Sequence, residues 1–103
     1  MKKATILKYL SEAKEHYRHE GLLIKGLFGS YARDEADETS DIDVLIEATP
    51  AFAKRYGFGA FGRLEAIRQE MSRALGGLPI DFADSSGMGH TAHMYIVDRT
   101  IYV

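Results

Sequence analysis

The chain has 103 residues, of which 46% are hydrophobic and none is cysteine. This length suits one domain with one core, and we expect residues 1–103 to form it. The 13 basic and 15 acidic side chains leave a net charge of −2, which argues against nucleic acid as a direct partner. No stretch is long and apolar enough for a transmembrane helix, so we expect no membrane association, and the absence of cysteine fits a cytoplasmic protein.

The N-terminal part predicts a helix followed by a buried strand. Over residues 3–20, apolar side chains recur at helical spacing, at Ile6, Leu10, Ala13 and Tyr17. Gly21 is a natural C-cap for this helix. The apolar run over residues 22–28 then predicts a strand.

A tight turn and a second strand come next. Gly29 and Ser30 end the first strand, and Ser30 is a candidate N-cap for a brief helical turn through Arg33. Residues 34–40 form an acidic loop. The β-branched side chains within residues 43–47 favour a strand there.

The second half predicts a helix between two further strands. Thr49 and Pro50 resemble the N-cap and first position of a short helix or turn. A second helical stripe, ended by Gly76 and Gly77, comprises Phe61, Leu64, Ile67, Met71 and Leu75. We expect strands over 78–83 and 101–103, the latter at a sheet edge, and a short helix or turn over 90–98. This order predicts an α/β or α+β protein.

Three aspartates are candidates for metal-assisted chemistry. Asp41 and Asp43 are two residues apart, so on a strand they project from the same face, where their charges repel unless a cation lies between them. Mg²⁺ suits this position because it prefers carboxylate oxygens, waters and phosphates. Asp81 interrupts an apolar strand, where a charge is costly unless it is paired or binds metal. The alternative for Asp81 is a solvent-facing residue on an edge strand.

The Gly-Ser turn is a candidate phosphate site. Gly29 lets the backbone approach a phosphate, and the amides and hydroxyl of Ser30 can donate to anionic oxygens. Arg33, one turn later, fits either an anion contact or a surface salt bridge to Asp34 or Glu35. We assign Gly29, Ser30, Arg33 and Ser40 to nucleotide binding.

As a set, these motifs resemble a known superfamily. The order Gly29-Ser30, ten residues and then Asp41-Ile42-Asp43 resembles the pattern of polymerase-β-like nucleotidyltransferases. The sequence segments GSYAR and SDIDVLIE resemble those of their minimal nucleotidyltransferase (MNT) branch. The resemblance implies a small mixed sheet packed against helices and ATP as substrate. It also implies two Mg²⁺ ions held by Asp41, Asp43 and Asp81. In such a site Asp81 would help to deprotonate the acceptor hydroxyl.

The resemblance also implies a partner. MNT proteins often pair with HEPN proteins as toxin–antitoxin modules, so this chain would be an antitoxin that adenylylates a tyrosine of a HEPN toxin. Two alternatives stay open. The chain could neutralise its partner by complex formation alone, or it could modify the hydroxyl of a small molecule.

The aromatic and glycine-rich segment over residues 51–62 has no assigned role. Its G-x-G-x-x-G letters from Gly57 to Gly62 lack the preceding buried strand that a dinucleotide fingerprint needs. Lys54 and Arg55, with Tyr56 and Phe58, suit either a nucleobase patch or a solvated turn whose aromatic side chains pack on the core. We favour the second interpretation.

Overall fold

A computed structural model describes residues 1–87 and 99–103, so the helix or turn predicted over 90–98 lies outside the described residues. The helices are α1 (Lys3–Arg18), α2 (Gly29–Ala32), α3 (Pro50–Tyr56) and α4 (Ala60–Ala74). The strands are β1 (Leu22–Phe28), β2 (Ile42–Ala48), β3 (Ile80–Asp84) and β4 (Ile101–Tyr102). Short 3₁₀ turns cover Gly57–Gly59 and Ser85–Gly87.

The strands form one mixed sheet. Their order is β3-β2-β1-β4, in which β1 is antiparallel to both β2 and β4 while β2 and β3 are parallel. Parallel neighbours need a long crossover, and α3 and α4 supply it between β2 and β3. The predicted α/β architecture with a small mixed sheet is therefore confirmed, and β4 is an edge strand as expected.

The core lies between the sheet and the stripes of α1 and α4. The predicted stripe of α1 is buried in full, and from α4 Ile67 and Met71 are fully buried. Phe61, predicted as part of the second stripe, is instead 76% exposed. Because α4 begins at Ala60, Phe61 lies in its first turn, ahead of the segment that packs on the sheet.

Two predicted helix ends are shifted, and one is correct. α1 ends at Arg18, with His19 as C-cap, and Gly21 adopts a positive φ of 89° beyond it. Ser30 is not an N-cap, because Phe28 occupies that position and α2 already begins at Gly29. Thr49 and Pro50 do begin α3 as N-cap and first residue. Within the described residues, no helix has the length and apolar character needed to cross a membrane.

Candidate active site

The turn after β1 lies directly against Asp43. Phe28, the last residue of β1, pairs with Asp43 of β2, and Gly29 follows with a φ of 74°. A Cβ on Gly29 would lie 2.0 Å from Oδ2 of Asp43. Only glycine provides both this backbone conformation and this approach. The Gly-Ser turn and the carboxylate are therefore parts of one site.

Asp43 and Asp81 are neighbours across two parallel strands. They are register partners in β2 and β3, and adjacent strands are about 4.8 Å apart. Ile42 and Val44 are fully buried, so Asp43 projects from the opposite face of the sheet. Asp81 is exposed and β3 is an edge strand, as the alternative interpretation had it. This exposure is compatible with a role in metal binding, because Asp81 also lies beside Asp43.

The site disfavours a negative charge on Asp43. Burial of this half-buried carboxyl, followed by the charges of Asp81 and Asp41, raises its pKa to about 6, and Arg33 opposes the shift. Asp41 itself precedes β2 and is exposed. All three aspartates thus act on one small region, and a cation there would relieve their repulsion.

The donor set fits a Mg²⁺ ion that arrives with a phosphate ligand. Among residues 1–87 and 99–103, no three His, Cys, Asp or Glu side chains are grouped as a complete metal centre. Mg²⁺ seldom uses an all-protein cage, since it typically binds one or two carboxylates together with waters and substrate phosphates. Asp43 and Asp81 would supply the carboxylates, and the backbone at Gly29 leaves room for the phosphate.

The other predicted nucleotide-binding residues differ in their placement. Ser30 follows Gly29 within α2 and so adjoins the site. The Arg33 Nε donates to Glu35 at 3.1 Å, which is the predicted salt bridge, yet its charge also reaches Asp43. The Ser40 hydroxyl accepts from the Asp37 amide at 2.9 Å and closes the acidic loop. The roles of all the predicted site residues stay predictions.

Arg68 is a residue near the site that the sequence pattern did not indicate. Its guanidinium is held by Glu65 at 2.8 Å and 3.1 Å, and its Nη1 donates to the carbonyl of Ile80 at 3.3 Å. Its charge also interacts with that of Asp81. Arg68 therefore fastens α4 to the strand that carries Asp81. No motif or spacing marks it, because it depends on how α4 packs beside β3.

Comparison with known proteins identifies the family. A model of the nucleotidyltransferase domain matches residues 7–103. The chain belongs to this family. The expected nucleotidyltransferase is thereby confirmed at the level of the family, with a match that includes all three aspartates and the Gly-Ser turn.

Similar proteins carry related names. The protein adenylyltransferase MntA of Thermococcus cleftensis is 34% identical over 92 residues, which cover 87% of this chain and 83% of MntA. MJ1215 of Methanocaldococcus jannaschii, provisionally named a protein adenylyltransferase, is 44% identical over 54 residues, or 50% of this chain and 59% of that protein. The match to MJ0126 of that organism, named in the same way, covers only 43% of its length. The chain thus spans about half the length of these two relatives.

A solved structure described provisionally as a minimal nucleotidyltransferase has the same fold. The superposition covers 100% of this chain and 97% of that chain, with a TM-score of 0.77 at 21% sequence identity. This likeness shows that the two chains share one fold.

Proposed function

We propose that the protein transfers AMP from ATP to a hydroxyl group of another protein in a Mg²⁺-dependent reaction. The observation that carries this proposal is the position of Asp43, which lies beside Asp81 and against the Gly29 turn with a raised pKa. A carboxyl whose pKa is raised by burial and by neighbouring carboxylates is typical of sites that bind a metal or transfer a proton. The name of the MntA relative supports protein adenylylation in particular.

In the proposed reaction the acceptor oxygen attacks the α-phosphorus of ATP. The bond from this phosphorus to the oxygen that leads to the β-phosphate breaks, and pyrophosphate leaves. Asp81, the more exposed partner, would accept the proton of the acceptor hydroxyl, while Gly29 and Ser30 would hold the phosphates. Bound Mg²⁺ would lower the charge on the triphosphate and on the leaving group. The site needs no covalent enzyme intermediate.

We propose a tyrosine of a HEPN-family partner as the acceptor, which makes the chain an antitoxin. The support for this step is the likeness to the MNT pattern around Gly29 and Asp43. The exposure of Asp81 on β3, an edge strand of the described sheet, also supports this step, because a hydroxyl on a protein surface would reach it there.

The test uses ATP labelled at either the α- or the γ-phosphate, Mg²⁺ and a HEPN-family protein encoded beside this chain. We expect label from the α-phosphate alone to appear on the partner, at a tyrosine mapped by mass spectrometry. Asp43→Asn and Asp81→Asn should each abolish the labelling. Glu38→Gln, which removes an exposed carboxylate from the neighbouring loop, should not.

Three results would contradict the proposal. Transfer of the γ-phosphate would indicate a kinase. Full neutralisation of the partner by Asp43→Asn would show that complex formation suffices. Labelling of a small hydroxyl compound in preference to the protein would show that the acceptor is a small molecule.

A further inference from the structure

Two aromatic side chains are exposed to solvent at the turn between α3 and α4. Phe58 is fully exposed, contrary to the expectation that it packs on the core, and Phe61 is 76% exposed. Tyr56 does pack against the core, as expected. Gly57 has a φ of 53°, and a Cβ on Gly57, Gly59 or Gly62 would meet no atom within 4 Å. The space around these glycines is therefore empty, and both rings remain exposed to solvent.

The base of this turn is firmly held. Arg63 donates to both carboxylate oxygens of Glu20, at 2.7 Å and 2.8 Å, and to Glu70 at 3.1 Å. The Tyr56 hydroxyl also donates to Glu20. These bonds join the turn after α1 to α3 and α4, and Tyr56 and Arg63 flank the two exposed rings in the chain. A surface that is already ordered loses less entropy when a partner binds.

A basic groove lies along α3, the helix that leads into the turn with the two rings. It has a volume of about 330 Å³ and runs between the end of α1 and α3, where Arg18, Lys54 and Arg55 line it. Glu20 also lines it, but its charge is already matched by Arg63. Within the described residues, neither Lys54 nor Arg55 forms an ion pair with a carboxylate. The groove is thus positive on a chain whose net charge is −2.

This region lies at the far end of the sheet from the aspartates. Asp43 is at the start of the seven-residue strand β2, and α3 follows its other end, about 20 Å away at the rise of an extended strand. The 15-residue helix α4 leads back from Phe61 toward β3. Phe58, Phe61 and the groove are therefore separate from the candidate active site.

We propose that Phe58, Phe61 and the groove beside Lys54 and Arg55 form a docking surface for an acidic, partly apolar segment of a partner protein. Aromatic and arginine side chains are the residues that dominate protein–protein binding energy. The two rings would enter apolar pockets of the partner, and its carboxylates would meet Lys54 and Arg55. This inference does not depend on nucleotidyl transfer.

The charge pattern favours a protein over a nucleic acid. Single-stranded nucleic acid also binds to aromatic side chains, but it needs a basic path along its backbone. Among the described residues that line the groove, the lysine and arginine side chains without a carboxylate partner are Lys54 and Arg55, two neighbours on one short helix. A few acidic side chains flanking apolar ones match this pattern better than a row of phosphates.

The test measures binding to the full chain by fluorescence anisotropy with three labelled probes. They are a short synthetic peptide of glutamate, aspartate and leucine, the same peptide with lysine in place of its acidic residues, and single-stranded oligothymidylate. We expect the acidic peptide alone to bind, and more weakly as salt increases.

The double variant Phe58→Ser with Phe61→Ser should weaken binding of the acidic peptide by roughly tenfold or more, and Lys54→Glu with Arg55→Glu should do so as well. Lys8→Glu, an exposed charge reversal on α1, is the matched control and should leave binding unchanged.

Circular dichroism of each variant establishes that it remains folded. The proposal is overturned if the acidic peptide fails to bind the wild-type chain, or binds the aromatic double variant equally well. Tighter binding of oligothymidylate would assign the surface to nucleic acid instead. Concentration-dependent self-association that is lost in the aromatic double variant would assign it to a second copy of the chain, and would also overturn the proposal.

Discussion

Asp43 carries a charge that the folded chain disfavours. Its pKa is raised from 3.8 to about 6, mainly by burial and then by Asp81 and Asp41. Between these pH values the folded state binds the proton more tightly than the unfolded state, so the carboxyl stabilises the fold at low pH. This contribution is lost as the pH rises through about 6. The full shift corresponds to at most about 3 kcal/mol, and solvent screening at this half-buried position reduces it to about 1–2 kcal/mol.

We therefore expect Asp43→Asn to increase the free energy of unfolding by about 1–2 kcal/mol at about pH 7.5 in the absence of divalent metal. At about pH 4, where the folded wild-type carboxyl is largely protonated, the two chains should differ little. Adding Mg²⁺ with a non-hydrolysable ATP analogue should stabilise the wild-type chain and not the variant. Urea denaturation under each condition measures these differences. An equal loss of stability at both pH values would show that Asp43 has a purely structural role.

Gly29 offers a second prediction, with Gly77 as a matched control. Both glycines have a positive φ, 74° and 83°, but a Cβ on Gly77 would meet no atom within 4 Å. Gly77→Ala should therefore cost only the backbone strain, about 1 kcal/mol. Gly29→Ala should cost more, because its Cβ must also displace the carboxylate of Asp43, which lies 2.0 Å away.

The difference between these two variants should be clearest in ligand binding. We expect Gly29→Ala to abolish the thermal stabilisation by Mg²⁺ and the ATP analogue, and Gly77→Ala to retain it. Differential scanning fluorimetry with and without the ligands measures the effect. Retention of the stabilisation by both variants would show that the close approach at Gly29 does not serve the nucleotide.

The turn after α1 shares one polar network with α3 and α4, in addition to the apolar contacts of these helices. Hydrogen bonds from Arg63 lower the pKa of Glu20 to about 2, against the opposing effect of burial, and the Tyr56 hydroxyl adds to the lowering. A carboxyl with a depressed pKa contributes stability above its ordinary value of 4.5, and this contribution is lost as the pH falls toward about 2. The network therefore strengthens the helix packing at neutral pH.

We expect Glu20→Gln to reduce the free energy of unfolding by about 2–3 kcal/mol at neutral pH, because Arg63 then loses its main partner at a largely buried position. The loss should shrink below about pH 3. Glu15→Gln, in the last part of α1, is the control, since the pair of Glu15 with Arg18 is exposed on both sides, and it should change stability by less than about 0.5 kcal/mol. Equal effects of the two substitutions in urea denaturation would contradict the importance of the network.

The elements that the sequence predicted well are those in which burial and periodicity agree. α1 buries its full stripe, and β1, β2 and β4 occur where apolar or β-branched runs indicated them. Phe61 was misplaced because helical spacing alone does not show where a helix leaves the core. The exposure of Phe58 was missed for a related reason, since aromatic side chains are usually buried and the glycines around it gave no contrary signal.

For the candidate site, the residue types were predictable but their arrangement was not. The spacing of Gly29, Ser30, Asp41 and Asp43 in the sequence alone indicates phosphate and metal chemistry. The pairing of Asp43 with Asp81 depends on the register of two parallel strands that are separated by α3 and α4. The contact of Arg68 with Ile80 likewise depends on packing between elements. No local sequence pattern predicts either the pairing of Asp43 with Asp81 or the contact of Arg68 with Ile80.

Across the whole molecule, the two proposed functional surfaces occupy opposite ends of the sheet. The aspartates lie where β2 and β3 begin, and the Phe58 and Phe61 surface lies beyond the other end of β2. The strand between them is held by β1 and β3 on either side and is buried at Val44, Leu45 and Ile46. A packed sheet of this kind gives no bistable element through which one end would alter the other.

We therefore predict that the two surfaces act independently. The stabilisation by Mg²⁺ and the ATP analogue should be the same in the wild-type chain and in Phe58→Ser with Phe61→Ser. Conversely, Asp43→Asn should bind the acidic peptide as tightly as the wild-type chain does. In a cycle that combines the aromatic and Asp43 substitutions, the coupling energy for unfolding should remain below about 0.5 kcal/mol, as for distant sites that share no partner. A coupling above about 1 kcal/mol would reveal a conformational link through the sheet, and the aromatic surface would then regulate the site as well as bind a partner.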